Sequence, residues 1–333
     1  MENIDIVITY VDGNEKRWRQ KRDKYECGRG GDAGTARYRD WENLQYIFRG
    51  IEKYASWVHK VFLVTDHQAP AWINEECEKL VLVNHEDYIP AEFLPTFNTN
   101  VIENNFHRIE GLSERFIVLN DDFFLMNELK PEDFFYQGRP QTIFVEYPVG
   151  CGGNSEVFPH LLINNYNLLG KYFKRRDYKK KLRGKILTPR YGMMFFYNLI
   201  MYLMPFPNLF GILTPHFACP YTKSSFQEMW TREGEKLTET NRHKFRQMDD
   251  LTIYLFHLFD VLSGNFHPHN TLKDGKFLVI RGDDPEIYNI LKSGKYKLLC
   301  LNDECPSELF GQVKDKVNRC LSEKFPDKSM FEK

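Results

Sequence analysis

The feature that most constrains this chain is a short run of β-branched and apolar residues, repeated along the sequence, that stops at a carboxylate. "IDIVITYVDG" stops at Asp12, "HKVFLVTD" at Asp66 and "RFIVLNDD" at the adjacent pair Asp121 and Asp122, and "EKLVLVNHED" has the same form. Runs of this length and composition read as buried strands. Between them, "WENLQYIFRGIEKYASWV" places Leu44, Ile47, Phe48, Ile51, Tyr54 and Ala55 at helical spacing, which makes one face of a helix apolar. Strands alternating with helices predict an α/β fold, Rossmann-like, with a mostly parallel sheet flanked by helices. In such sheets ligands bind beyond the carboxyl ends of the strands. Asp12, Asp66, Asp121 and Asp122 would therefore meet on one rim.

The pair in "FIVLNDDFFL" raises its own question, because an unpaired buried carboxylate is costly. Asp121 and Asp122 must be solvated, hydrogen-bonded or neutralised by a cation. Asn and Asp also favour turns, so a solvated turn is the plain reading of the fragment. Several strand ends delivering acids to one rim favour a metal or nucleotide site instead. A hard cation such as Mg²⁺ takes one or two carboxylates together with phosphate oxygens.

The 333 residues are 42% hydrophobic and 15% aromatic, ample for a core. With 45 basic and 46 acidic residues, no global field recruits nucleic acid. The first apolar run is short and lacks a basic leader, so it does not read as a secretory signal. Seven cysteines, at 27, 77, 151, 219, 300, 305 and 320, form no C-x-x-C pair and fit reduced thiols in a cytoplasm. No apolar run is long enough to span a membrane.

"CGRGGDAGTARYRD" reads as a glycine-rich loop, or as a lid ordering on a diphosphate with Arg37 and Arg39 behind it. In "NTNVIENNFHRIEG", Asn100 and Glu103 have capping-box spacing and Gly111 suits a helix end. His107, four residues after Glu103, would share its helix face, with Arg108 beside it. Residues 171–185 hold nine Lys/Arg against one Asp and precede "RYGMMFFYNLIMYLMPFPNLFGIL". That stretch reads either as a solvated basic helix before a core helix or as an interfacial anchor on anionic lipid, ended by Pro205 and Pro207. Asp249 and Asp250 read as first-turn acids of a helix over 251–262. "HPH", His267 and His269, is a weak metal pattern. "LLCLNDE" repeats the earlier strand form and delivers Asn302 and Asp303.

In order along the chain, "IDIVITYVDG", "RYRDWENLQYIFRGIEKYASWVHKVFLVTDHQAPAW", "LPTFNTNVIENNFHRIEGLSERFIVLNDDFF", "TPHFACPYTK" with "HKFRQMDDLTIYLF", and "LLCLNDE" resemble the four conserved regions of the Stealth family. That family includes bacterial capsular and surface polysaccharide phosphotransferases and the animal N-acetylglucosamine-1-phosphotransferase α/β subunits. The resemblance implies a GT-A-like sheet in one catalytic domain over 1–333, with a helical insertion at about 150–212. It implies transfer of a hexose 1-phosphate, an N-acetylhexosamine 1-phosphate in the specific case, from a UDP-sugar to a glycan hydroxyl, releasing UMP. By motif, Asp121, Asp122 and Asp303 would hold Mg²⁺ or Mn²⁺, or the Asp pair would lie against the diphosphate. His216 would be general base or transition-state donor, Arg246 would clamp the transferred phosphate, and Asp122 would join them in catalysis. Asp12, Gly13, Arg37, Glu103, His107, Arg108, Asn120 and Asn302 would contact substrate. The chain lacks the inserted modules of the animal enzymes and carries Asp12 where they have Asn. A bacterial-type glycan acceptor, lipid-linked and met at the inner membrane face, is therefore expected in place of a protein.

A metal-dependent glycosyltransferase releasing UDP would also use an "NDD" rim, but leaves His216 and Arg246 without a task. A non-enzymatic glycan-binding module gives no reason for carboxylates gathered at several strand ends.

Overall fold

The computed structural model describes residues 2–26, 38–150, 157–208 and 211–333. The expected strands form around a central sheet: β1 (Ile4–Thr9), β2 (Val61–Thr65), β3 (Leu80–Asn84) and β4 (Arg115–Leu119). β1 pairs in parallel with β2 and with β4, and β2 with β3. β5 (Phe123–Leu125) follows directly, and β6 (Phe135–Tyr136) and β7 (Arg139–Thr142) form a hairpin. β8 (Cys219–Thr222) closes the central sheet antiparallel to β4, giving the order β3-β2-β1-β4-β8. Pro220 is tolerated because β8 is an edge strand. β9 (His267–Pro268) joins β7, while β10 (Gly275–Ile280) and β11 (Leu298–Asp303) make a second sheet in the order β10-β11-β5.

The pleat sorts the core. Ile6, Ile8, Leu63, Ile117 and Leu119 face one side, packed with the helix Leu44–Tyr54, the second sheet and the helix Ser307–Lys324. Val7, Phe62, Val64, Phe116 and Val118 face the other, against the helices Lys223–Asn241 and Tyr254–Ser263. Successive side chains of a strand point to opposite faces, so strands buried on both sides carry the continuous apolar runs seen in the sequence. The mixed α/β fold with a mostly parallel sheet flanked by helices is thus as expected. Winding reverses between β1 and β4, and the cleft opens at their carboxyl ends.

Two expectations change. The helix cap before Glu103 is Asn98, whose side chain accepts from the Asn100 N–H of the helix Thr99–Asn104. The stretch after the basic segment is no core helix, since Asn198 is the buried residue of the helix Met194–Leu203. The basic segment itself forms the helix Arg175–Lys181, and Arg175 is fully buried. Its guanidinium pairs with Glu146 at 2.6 Å and donates to the carbonyls of Met201, Met204 and Phe206. The Tyr178 hydroxyl donates to the same carboxylate.

Removing one partner of a buried pair leaves the other charge uncompensated. Arg175→Met is expected to destabilise the protein by about 3–5 kcal/mol in urea unfolding, since Glu146 loses its cation and three carbonyls lose a donor.

Candidate active site

The cleft, of about 730 Å³, is lined by the carboxyl ends of β1, β4 and β11, by Glu103, and by His216, Arg246 and Tyr254. The "NDD" segment lies between the two sheets, because β4 belongs to the central sheet and β5 to the second. The turn is closed by the Phe123 N–H donating to the Asn120 carbonyl, and β11 holds it from the far side through the Leu301 N–H on the Asp122 carbonyl, at 2.9 Å. The Cys300 thiol donates to Asp122 Oδ2 at 3.3 Å, and the buried Oδ1 has no hydrogen-bond partner among the described residues. Burial raises the Asp122 pKa, and the neighbouring His216 and the Cys300 thiol oppose the rise. Desolvation within the cleft, with the carboxylates of Asp122 and Asp40 nearby, pushes the Asp121 pKa up to about 7. Its side chain opens into the cleft, where water moderates that rise.

His216 sits on the segment entering β8, with its ring edge-on to Phe123 at 4.9 Å. Its Nδ1 is bonded to the Tyr254 hydroxyl at 2.8 Å, which fixes the ring and leaves Nε2 for chemistry. Burial, with Arg246 nearby, lowers its pKa, while Asp122 pulls the other way. The imidazole is therefore held neutral beside a carboxylate and a guanidinium. Glu103 faces Arg246 from the helix Thr99–Asn104, and burial pushes its pKa up to about 7 against that guanidinium. Charge effects thus run in a row from Asp122 through His216 and Arg246 to Glu103.

The Arg246 segment is pinned by Asp250, which is fully buried. Asp250 accepts from Asn98 at 2.7 Å, Asn100 at 3.0 Å, the Gln247 N–H and the His243 ring. It precedes the helix Tyr254–Ser263 by more than a turn, so it is a buried hydrogen-bond hub and not the first-turn acid expected.

Asn120, Asn302 and Asp303 line the cleft, with the two Asp of the pair. Asp303, however, has both oxygens engaged: Oδ1 by Arg39 at 3.0 Å and by the Cys305 N–H, Oδ2 by the Trp41 indole N–H. Among the described residues two groups of possible ligand atoms converge within 4.8 Å, Asp122 with His216 and Cys300 in the cleft and His243 with Asp249 and Asp250 beside it, and neither includes Asp303. Asp12 turns its carboxylate back onto the Asn14 N–H, an Asx turn, and lies outside the cleft lining. Gly13 packs against the Tyr38 backbone, and a Cβ there would overlap the Tyr38 carbonyl oxygen. Its sequence signal is close approach.

His107 and Arg108 are not in the cleft. The helix ends at Asn104, and both residues sit in the next 3₁₀ turn, so the four-residue spacing from Glu103 does not hold them to its face. The His107 ring packs between Phe226 and Trp230, and Arg108 lies over the Trp230 ring at 4.8 Å. Burial between those rings pushes the His107 pKa down to about 3. Arg37 and the glycine-rich lid over 28–34 lie outside the described residues. His267 and His269 do not act together, since one bonds Gln141 and the other Asp274. Asp66 is neutralised by Lys21 at 2.8 Å.

Sequence reasoning missed Tyr10, Asp40, Cys300 and Tyr254. The Tyr10 hydroxyl donates to Asp40 at 3.1 Å, and burial raises the pKa of both groups. No local spacing links residues 30 apart, although Asp40 follows a polar run at the foot of a helix, where a rim acid is expected.

The residues at the "NDD" turn fit a divalent ion. Oxygen donors suit a hard cation, Asp121 opens into the cleft, and Asp122 presents an oxygen without a hydrogen bond. The Asp122–His216–Cys300 group is of softer character, but its thiol is already committed as a donor to Asp122.

Glu103 makes stability depend on pH. Its folded pKa of about 7 exceeds the unfolded value of 4.5, so the folded state binds the proton more tightly and stability falls as pH rises from 4.5 to 7. Glu103→Gln is expected to flatten that slope in urea unfolding and to add up to about 3 kcal/mol above pH 7.

Comparison with known proteins agrees with the family resemblance. The model for Stealth protein CR2, conserved region 2, matches residues 37–143, the span that carries Glu103, Asp121 and Asp122. The capsular polysaccharide phosphotransferase WcwK of Streptococcus pneumoniae is 36% identical over 336 residues, covering 100% of this chain and 99% of that one. The receptor polysaccharide phosphotransferase WefC of Streptococcus oralis is 33% identical, covering 100% of each chain. The exopolysaccharide phosphotransferase cps2G of Lactiplantibacillus plantarum is 33% identical over 99% of this chain and 96% of that one. A solved galactosyltransferase, LgtC with donor and acceptor sugar analogues, overlays 96% of this chain and 95% of that one at 9% identity and a TM-score of 0.40, too distant to bear on function. Full-length identity above a third, together with the matched conserved region, places this chain in the Stealth family of polysaccharide phosphotransferases.

Proposed function

We propose that the enzyme transfers a hexose 1-phosphate, specifically an N-acetylhexosamine 1-phosphate, from a UDP-sugar to a hydroxyl of a glycan acceptor, forming a phosphodiester and releasing UMP. The observation that carries this reading is that Asp122, His216, Arg246 and Glu103 line one cleft, with ligand atoms of Asp122 and His216 within 4.8 Å of each other. The names of the full-length relatives support the reaction class.

In the proposed reaction the acceptor oxygen attacks the β-phosphorus. The bond from that phosphorus to the bridging oxygen breaks, and UMP departs with the electron pair. Such transfers depend on positioning and on charge placed against the phosphoryl oxygens. Arg246 offers a fork of donors to those oxygens. Its place opposite Glu103 is set by the Asp250 hub, which joins the Arg246 segment to the start of the Glu103 helix. His216 takes the acceptor proton at Nε2 while its Nδ1–H donates to the Tyr254 oxygen, and Asp122 stabilises the imidazolium that forms. Asp121 and Asp122 are the residues that would hold Mg²⁺ or Mn²⁺, which when bound would offset the charge of the diphosphate. Trp18, Tyr38 and Phe97 line the cleft and pack on one another at 5.1 and 5.6 Å, an aromatic wall suited to a nucleobase. Asn120 and Asn302 remain for sugar hydroxyls. The acceptor is read as a lipid-linked bacterial glycan and the compartment as the cytoplasm. The unpaired state of Cys77, Cys219, Cys300, Cys305 and Cys320 supports that compartment.

The test is a product assay with purified protein, Mg²⁺, a panel of UDP-sugars and an acceptor glycan, with UMP and UDP separated by chromatography. Acceptor-dependent UMP is expected, and His216→Ala should lower its release by about 10²–10⁴-fold while the protein stays folded. Acceptor-dependent UDP would mean that the glycosidic bond breaks, and the phosphodiester reading would fall.

A further inference from the structure

The helix Met194–Leu203 is held from within and bare outside. On its inner side, Asn198 donates to the carbonyls of Phe144 and Ile186 at 2.7 and 3.1 Å. At its carboxyl end the buried Arg175 caps the carbonyls of Met201, Met204 and Phe206 while paired with Glu146. These contacts fix a helix whose outward positions are apolar. Met193, Phe196, Ile200 and Leu203 recur at spacings of three and four and are 76%, 58%, 58% and 68% exposed. Leu199 and Met204 widen the stripe. Among the described residues nothing covers it. Exposed apolar faces of this kind mark interaction or membrane sites.

The charges around it choose the partner. The helix Arg175–Lys181 meets the carboxyl-terminal turn of the apolar helix, where the Lys179 ammonium sits over the Tyr202 ring at 4.7 Å. Arg176 and Lys180 are exposed on the basic helix, three residues before and one after Lys179, and Arg183 is exposed at the start of the next helix, Arg183–Ile186. Asp177 is the single acid among residues 171–185. A second copy docking here through the same face would bring a second set of like charges against the first. An anionic lipid surface answers both features, with hydrocarbon for the apolar stripe and headgroups for the cations. A helix of ten residues, about 15 Å long at the standard rise, lies in that interface and does not span it. No described helix is long and apolar enough to cross a membrane.

We propose that the face formed by Met193, Phe196, Ile200 and Leu203, flanked by Arg176, Lys179, Lys180 and Arg183, seats the enzyme on the surface of an anionic lipid bilayer. The surface does not depend on which bond the enzyme breaks. The buried Arg175 and the inward-bonded Lys181, which donates to the Ser263 carbonyl, take no part in it.

The experiment is sedimentation of the full chain with vesicles of phosphatidylcholine alone and of phosphatidylcholine mixed with phosphatidylglycerol. Wild-type protein is expected to pellet with the mixed vesicles and to stay in solution with phosphatidylcholine. Phe196→Ser combined with Ile200→Ser should cut the partition at least tenfold at unchanged Tm. Arg176→Gln combined with Lys180→Gln should cut it by roughly fivefold for each charge removed. Wild-type protein that pellets with neither vesicle, or equally with both, would overturn the proposal. So would a Phe196/Ile200 variant that binds as wild type does. Light scattering that shows a wild-type dimer abolished by the same double variant would assign the face to a second copy and overturn it equally.

Discussion

The site depends on one buried carboxylate that does no chemistry. Asp250, wholly inaccessible to solvent, gathers the amides of Asn98 and Asn100, the His243 ring and the Gln247 N–H. A buried charge is tolerable only when its lone pairs are met in this way. The consequence is geometric: the segment bearing Arg246 is tied to the start of the helix bearing Glu103, two stretches nearly 150 residues apart. Further ties reinforce it, since the Phe97 N–H donates to the Lys244 carbonyl and the rings of Phe97 and Phe245 stack at 5.3 Å. Arg246 therefore reaches the cleft on a segment braced at several points, beside Glu103.

The other half of the site comes from sheet geometry. β4 and β5 are separated by Asn120, Asp121 and Asp122, and the two strands belong to different sheets. The carboxylates therefore lie at the junction, where backbone pairing has to change partners and β11 supplies the new one through Leu301 and Cys300. This answers why an apolar strand ends in two acids. The chain leaves one sheet there, and the gap between sheets is the cleft.

Much of this was legible in the sequence. The strands were visible as β-branched runs, and the acids at their ends led to the cleft at Asp66, Asp121 and Asp122, whereas Asp12 closes a local turn outside it. The matched motif order also led to His216 and Arg246, which the fold brings beside Asp122 and Glu103. Local spacing failed where a tertiary event intervened. Glu103 and His107 share a face only if the helix continues, and it stops at Asn104. Asp303 looked like a free carboxylate at a strand end, but Arg39 and Trp41, more than 260 residues away, occupy it. Gly13 was noticed as a motif residue, yet its need is the Tyr38 backbone pressed against it. Tyr254 and Cys300 carried no local signal, because an apolar helix and an apolar strand hide a single polar atom aimed at a neighbour.

The central claim is that this cleft moves a phosphoryl group together with its sugar. Donor labelled at the β-phosphorus tests that most directly, by following the label after incubation with an acceptor glycan. The label is expected to enter the glycan in step with the sugar, leaving unlabelled UMP. Sugar that enters the glycan while the label stays on the nucleotide as UDP would contradict it.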